Sequence, residues 1–221
     1  MNVIDAIKLR FSTRSFLDKP VSKETIQALL DVARWAPSGG NLQPWQVMVI
    51  SGKTKQQISN AIIQARSKGE KERPDYSYYP SEWFEPYKSR RVAAGVALYQ
   101  ALGIAREDSE RRNQAWNNNY RFFDAPVGML FFLERKLGRG AWVDLGLFLQ
   151  SLMLAATARG LATCPQASLA DFPDIIRKAL AIEDKYALIC GMSLGYAKSE
   201  APENNYRTER AEVNEFTKWY D

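Results

Sequence analysis

One stretch of the sequence is strongly apolar along its whole length: Asp144-Leu-Gly-Leu-Phe-Leu-Gln-Ser-Leu-Met-Leu-Ala-Ala-Thr-Ala-Arg159, which Gly160 follows. Asp144 predicts the N-cap of a helix over 144–159, and Gly160 predicts its C′ position. Apolar residues cover nearly every face of this helix, and such a helix lies in a large core or in a subunit interface. We therefore expect the fold to be built around it.

Shorter apolar patterns on both sides of this helix predict the remaining elements. Helices are expected over 3–9, from the N-cap Ser22 onward, and over 53–66, 89–107 and 171–181, with strands over 45–50, 127–133 and 187–197. Because the strands are few and separated by helices, we predict an α+β (mixed α/β) fold, in which helices flank both faces of a small central mixed β-sheet. No Gly-x-Gly-x-x-Gly follows a strand, so a dinucleotide-binding Rossmann domain is not expected.

The composition restricts the chemistry. The chain of 221 residues has no histidine, which removes Ser-His-Asp and Cys-His catalysis and most zinc chemistry. An enzyme of this composition needs carboxylates, Lys, Tyr or Cys, or a bound organic cofactor. The formal net charge of +5 is a mild bias, so no nucleic-acid partner is expected. Two cysteines, no signal-peptide pattern and no long apolar span predict a cytoplasmic protein without a membrane partner or a metal.

Two clusters of polar residues in the first 45 positions are candidate binding elements. Arg10, Ser12 and Arg14 follow the first helix and could form a phosphate cradle; the alternative is a solvated helix end. In the stretch 36–45, the side chains of Ser38, Asn41 and Gln43 suit the carbonyls and ring nitrogens of a heterocycle; the alternative is a connecting loop.

Two later segments are also candidates. The stretch 160–169 is predicted to be a loop of small residues whose backbone N–H groups can approach a flat ligand, and its Cys164 is expected to be a buried small hydrophobe without an activating base. The stretch 67–91 is a long excursion with many aromatic residues, which argues against disorder and favours a lid. Its candidate stacking residues are Tyr76, Tyr79, Trp83 and Tyr87.

Four motifs in this order resemble the nitroreductase family of flavin enzymes. They are Arg-x-Ser-x-Arg at 10–14, Ala-Pro-Ser-Gly-Gly-Asn-x-Gln-Pro-Trp at 36–45, Gly-Leu-x-Thr-Cys-Pro-Gln at 160–166 and Gly-x-Ser-Leu-Gly-Tyr-Ala at 191–197. The resemblance implies a single domain over 1–221 that forms a homodimer with FMN at the interface. It also implies that 67–91 is a lid insertion and that the tail 198–221 reaches the partner subunit.

The resemblance assigns roles to the candidate residues. It implies contacts to the FMN phosphate and ribityl chain from Arg10, Ser12, Arg14 and a tail arginine, with Arg210 preferred over Arg207. It implies that the partner lays Ser38, Asn41 and Gln43 beside the isoalloxazine ring. It implies that the reactive face of the flavin is lined by Pro165, Gln166, Ala167 and Ser168. In this stretch it implies a backbone N–H that donates to flavin N5. Many relatives carry Glu-Gly where Ala167-Ser168 stand here, so the backbone donor is retained and a glutamate side chain is not.

The implied activity is that of an oxidoreductase whose cofactor carries the chemistry. NAD(P)H would reduce FMN and leave, and a nitroaromatic or similar electron-poor small aromatic acceptor would then occupy the same face, in a ping-pong mechanism without a catalytic side chain. Two alternatives remain open: a reductive dehalogenase-like enzyme acting on halogenated phenols, and a non-catalytic FMN-binding module.

Overall fold

The structure is a computed structural model that describes all 221 residues, with eight α-helices around one four-stranded β-sheet. The helices are α1 (Val3–Leu9), α2 (Lys23–Ala33), α3 (Gly52–Ser67), α4 (Tyr87–Ala101), α5 (Ser109–Asn117), α6 (Gly140–Ala158), α7 (Pro173–Leu180) and α8 (Val213–Phe216). The strands are β1 (Gln46–Ser51), β2 (Val127–Glu134), β3 (Ala162–Gln166) and β4 (Tyr186–Gly195).

The sheet has the strand order β1-β2-β4-β3, and every neighbouring pair is antiparallel. The α+β fold class is confirmed, but the strand directions differ from the mixed sheet that was expected. The direction of each strand depends on the path of the segments that connect the strands, and the apolar pattern of the sequence does not specify that path. In register, Met129 of β2 pairs with both Val49 of β1 and Met192 of β4.

Strand β2 divides the core into two layers because its side chains alternate between the faces of the sheet. Met129 and Phe131 pack in the layer formed with α2 and α6, whereas Leu130 and Phe132 pack in the layer formed with α3 and α7. All four side chains are fully buried. Helices therefore cover both faces of the sheet, as the sequence predicts.

Helix α6 is central to the first core layer, with Leu145, Phe148 and Leu152 buried against the sheet. It starts at Gly140, so the prediction that Asp144 caps it is wrong; Gly160 does follow it with a positive φ. The helix is long and apolar enough to cross a membrane, but a core helix satisfies the same criterion and this one packs in a core. Its opposite face leaves Val143 and Leu147 exposed.

Three elements were not predicted, one of them the four-residue helix α8 in the tail, and one element was predicted too long. Strand β3 lies where a loop was expected; as an edge strand it tolerates Pro165, which has no backbone N–H to donate. Helix α5 has almost no apolar stripe and is instead started by Asp108, whose carboxylate accepts from the backbone N–H of Arg111. Helix α4 ends six residues before the predicted Glu107, because Gly103 adopts a positive φ just beyond it.

Two glycines in β4 allow neighbouring segments to pack directly against its backbone. A Cβ atom at Gly195 would lie 2.6 Å from Cδ of Pro126 and 3.0 Å from Cδ1 of Phe16. A Cβ atom at Gly191 would collide with Cδ1 of Leu169. The short turn that follows β3, Ala167–Asp171, is thereby held close against β4.

Candidate functional site

The segment after α1 and the start of the C-terminal tail are joined by one buried side chain, Asn204. Its Oδ1 accepts from the backbone N–H of Arg14 at 2.8 Å, and its Nδ2 donates to the backbone carbonyls of Ser15 and Lys198 at 2.8 and 2.9 Å. The Arg14 guanidinium also donates to the hydroxyl of Tyr206 at 3.1 Å. The two ends of the chain therefore form one wall of the site.

Replacement of Asn204 by alanine is expected to lower the free energy of unfolding by about 2–4 kcal/mol. It leaves the backbone N–H of Arg14 without a partner and removes one of the two hydrogen bonds that each of the carbonyls of Ser15 and Lys198 accepts, at about 1 kcal/mol for each bond lost. Urea unfolding followed by circular dichroism measures the loss, and Asn60→Ala, at an exposed position of α3, is the control. Equal stability of the two variants would contradict the role given to Asn204.

Four arginines gather at this wall without a counter-ion. No carboxylate lies within ion-pair distance of any of their guanidinium groups, which belong to Arg10, Arg14, Arg207 and Arg210. Burial, and then the positive charge of Arg210, lower the pKa of Arg10 below its usual value. The guanidinium carbon of Arg207 lies 3.8 Å from the ring centre of Phe11. An unneutralised cluster of this kind favours a multiply charged anion.

Strand β3 is hydrogen-bonded to the segment that carries Arg10 and Arg14. The backbone N–H of Thr13 donates to the carbonyl of Thr163 at 3.0 Å, and Ser12 forms a parallel bridge with Thr163. Cys164, the next residue, is buried, and burial raises the pKa of its thiol despite the nearby Arg14. The thiol thus stays protonated near neutral pH, so it cannot act as a nucleophile.

A cavity of about 650 Å³ lies beside the arginine cluster. Arg14 lines it, and so do all four predicted reactive-face residues, Pro165, Gln166, Ala167 and Ser168. A second cavity of about 450 Å³ lies against α6 and shares Pro165, Gln166 and Ala167 with the first. The stretch 165–168 therefore has open space on more than one side, as a strip that contacts a flat ligand requires.

The side chains of the predicted reactive face differ in the hydrogen-bonding groups that they leave free. The amide of Gln166 is buried: its Oε1 lies 2.6 Å from Oγ of Ser193 and its Nε2 donates to the carbonyl of Asn119. This amide is occupied, so Gln166 can contribute only its backbone. The hydroxyl of Ser168 is buried and has no hydrogen-bond partner within the chain. It is the one side chain of the four with an unused hydroxyl.

The excursion 67–91 is anchored at one end. Asp75 is buried and accepts from Arg135 and Arg177, each at 2.7 Å, and from the backbone N–H of Leu188 at 2.9 Å. The next residue, Tyr76, donates its hydroxyl hydrogen bond to the carbonyl of Ile189 and is buried enough to raise its pKa well above the usual range. This end of the excursion is therefore fastened to β4.

The four predicted lid residues divide into two pairs. Tyr76 and Tyr79 line the larger cavity, whereas Trp83 and Tyr87 do not. Trp83 instead lies under the guanidinium of Arg91, at 4.7 Å, and Tyr87 is the first residue of α4. Within this chain, Trp83 and Tyr87 are thus not among the residues that line the cavity, although Arg91, against which Trp83 packs, is one of them.

The loop with Ser38, Asn41 and Gln43 is the candidate cluster that this chain does not bring to the cavity. None of the three side chains lines either cavity. The backbone N–H of Gly39 donates to Asp144 at 3.1 Å, and that of Gln43 donates to the hydroxyl of Ser38 at 3.0 Å. The loop is thus ordered on the surface, where Asn41 and Gln43 are exposed.

Several cavity residues carry no sequence signal that could have identified them. They are Trp116, Asn118 and Asn119 from the end of α5 and its following turn, and the carboxylates of Glu72, Asp171 and Glu203. Helix α5 was itself not predicted, and isolated acidic residues do not differ by sequence from solvated ones. No group of three His, Cys, Asp or Glu side chains is placed to hold a metal ion.

The arginine cluster and the cavity beside it lie together on an α+β fold, and their chemistry suits a phosphorylated aromatic ligand. A model of the nitroreductase family matches residues 7–196, and this chain belongs to that family. Nitrobenzene nitroreductase of Ectopseudomonas oleovorans is 39% identical over 214 residues, which are 96% of this chain and 94% of that protein.

Two solved structures have the same fold over nearly all their length. The FMN and NADPH-dependent nitroreductase NfnB from Sphigopyxis sp. strain HMH is 37% identical, with a TM-score of 0.98 over 100% of both chains. The FMN-dependent nitroreductase NfnB from Mycobacterium smegmatis, solved in complex with NADPH, is 34% identical, with a TM-score of 0.94 over 99% of this chain and 97% of that chain.

Proposed function

We propose that this protein is an FMN-dependent oxidoreductase that uses NAD(P)H to reduce nitroaromatic or similar electron-poor acceptors. The observation that carries the proposal is the unpaired arginine cluster from both chain ends, placed beside the cavity that the stretch 165–168 lines. The relatives support the cofactors and the substrate class, since their names specify FMN, NADPH and nitrobenzene.

The residues present fit FMN. A phosphate monoester carries close to two negative charges at pH 7 and several acceptor oxygens, which match the arginines and the hydroxyl of Ser12. The unused hydroxyl of Ser168 and the backbone N–H groups of 166–168 match the polar edge of a flavin ring. No acidic side chain pairs with the cluster, so a bound phosphate would meet no competing anion there.

The protein's part in the reaction is to hold and orient the cofactor and the substrates. FMN, when bound, supplies the ring that takes a hydride equivalent from NAD(P)H and passes it to the acceptor. Arg10, Arg14 and the tail arginines fix the phosphate, and the backbone of 165–168 orients the reactive edge. Tyr76 and Tyr79 provide apolar surface for a small aromatic substrate and exclude water. Because donor and acceptor share one face, the kinetics are ping-pong.

The active form is a homodimer. Val143 and Leu147 of α6 form an exposed apolar face, and α1, which packs on α6, exposes Ile4 and Ile7. Trp219, in the tail, is 83% exposed. Contiguous apolar surface of this kind is typical of an interface between permanent partners. The loop 38–43, whose Ser38, Asn41 and Gln43 line neither cavity of this chain, then completes the partner's site. Two free, buried cysteines are consistent with a reducing cytoplasm.

Anaerobic absorbance spectroscopy tests the function. The FMN-loaded protein is expected to lose its absorbance near 450 nm (roughly, for flavins in general) when NADPH is added, and to regain it when nitrobenzene follows. Steady-state rates measured against both substrates should give the parallel lines of a ping-pong mechanism. Flavin that stays oxidised with NADPH and NADH would favour a binding module. Recovery with halogenated phenols but not with nitrobenzene would favour the dehalogenase-like alternative.

A further inference from the structure

Asp171 ends the short turn that begins with the reactive-face residues Ala167 and Ser168, and it lines the same cavity. Its Oδ2 accepts from the hydroxyl of Tyr120, a fully buried residue, at 3.5 Å. Its backbone carbonyl accepts from the backbone N–H of Arg73 at 3.0 Å. The turn itself is held tightly against β4 by the contact of Leu169 with Gly191. The carboxyl group therefore has a fixed place next to the reactive stretch.

Three other titratable groups that line the cavity, two tyrosines and a cysteine, are poorly suited to donate a proton near neutral pH. Burial raises the pKa of Tyr76, of Tyr78 and of Cys164, and arginines remain protonated. The chain has no histidine. Burial, and then the negative charge of Glu72, raise the pKa of Asp171 to about 6, which is within the range useful for acid–base catalysis.

We propose that Asp171 is a catalytic residue that donates a proton to the acceptor while the acceptor is being reduced. The inference rests on the proposed function. A nitro group becomes a nitroso group and water by gaining two electrons and two protons. The acceptor gains a hydride equivalent, which originates from NAD(P)H, and one proton from the carboxyl of Asp171. One N–O bond breaks and its oxygen leaves as water. The carboxylate then regains a proton from solvent beside Glu72, which is half-exposed.

Charged and titratable groups face Asp171 from every neighbouring element. Glu72, on the excursion, disfavours the ionised carboxylate; Arg66, from α3, and the hydroxyl of Tyr120 favour it. Arg66 also pairs with Glu72 at 3.5 Å and donates to Tyr120 at 3.3 Å. Tyr76 stays neutral, because its own pKa is raised. The balance keeps part of the Asp171 population protonated at pH 6–7, and this part is the proton donor.

Stopped-flow mixing of the pre-reduced holoenzyme with nitrobenzene, which does not titrate, tests the inference. In the wild-type protein, the rate of flavin reoxidation should fall as the pH rises through about 6, because only the protonated acid donates. Asp171→Asn keeps the size of the side chain and should lower the rate at pH 6 by about 100-fold and abolish the pH dependence. Its rate of reduction by NADPH should be unchanged, since that step needs no proton from the protein.

Two further variants sharpen the test. Glu72→Gln removes the negative charge that raises the pKa of Asp171, so the midpoint of the pH profile should move to lower pH. Glu203→Gln removes another carboxylate of the same cavity and should leave the profile in place. Reoxidation of Asp171→Asn at the wild-type rate and with the wild-type profile would overturn the inference. A wild-type protein that NADPH does not reduce, or that nitrobenzene does not reoxidise, would instead overturn the proposed function.

Discussion

Replacement of Arg10 by glutamine is expected to weaken FMN binding by about 10- to 100-fold and to leave the apoprotein at least as stable as the wild type. The Arg10 guanidinium is half-buried, and no hydrogen bond or ion pair within the chain occupies it. A charge-assisted bond to phosphate contributes about 1.5–3 kcal/mol, which gives the expected loss in affinity. In the apoprotein, the same change relieves repulsion from Arg210.

Titration of the apoprotein with FMN, followed by flavin fluorescence, measures the first effect, and thermal unfolding without FMN measures the second. The matched control is Arg34→Gln at the C-cap of α2, where the arginine is exposed and pairs with Asp31 at 2.7 Å. If Arg34→Gln binds FMN with wild-type affinity, the loss of affinity in Arg10→Gln is specific to position 10. Unchanged affinity in Arg10→Gln would show that the phosphate lies elsewhere. A marked loss of apoprotein stability would show that Arg10 is structural.

Replacement of Leu147 by aspartate is expected to convert the protein to a monomer that does not retain FMN. Leu147 is on the outer face of α6 and is 41% exposed, so the folded chain itself tolerates a charge there. The proposed homodimer would bury this face, and an unpaired carboxylate in an apolar interface costs several kcal/mol. Without the partner, the loop 38–43 cannot complete the site.

Sedimentation velocity measures the oligomeric state, and the FMN content after gel filtration measures retention. Leu147→Met conserves the volume and apolar character of the side chain, and should remain dimeric and loaded with FMN. A dimer that persists in Leu147→Asp would place the interface on another face of the chain. A monomer with wild-type FMN affinity would contradict a site shared between subunits.

The sequence predicted most of the helices and three of the four strands, since each has a clear apolar period. The N-cap Ser22 is confirmed: its hydroxyl accepts from the backbone N–H of Thr25. Strand β3 and helix α5 were not predicted because one is a short edge strand of small residues and the other has no apolar stripe. Asp144 was taken for a cap because local pattern does not show that it bonds Gly39, 105 residues away in sequence.

The family of this protein was determined by its sequence, because four short motifs keep their order and their residue types. What only the tertiary structure decided is which side chains are free to act. It shows Gln166 occupied by Ser193 and Asn119, and it brings Arg210 to Arg10 across nearly the whole chain. It also places Asp171 at the cavity beside Glu72. The reason is physical: burial, proximity of charge and hydrogen-bond occupancy depend on residues distant in sequence, and no local pattern encodes them.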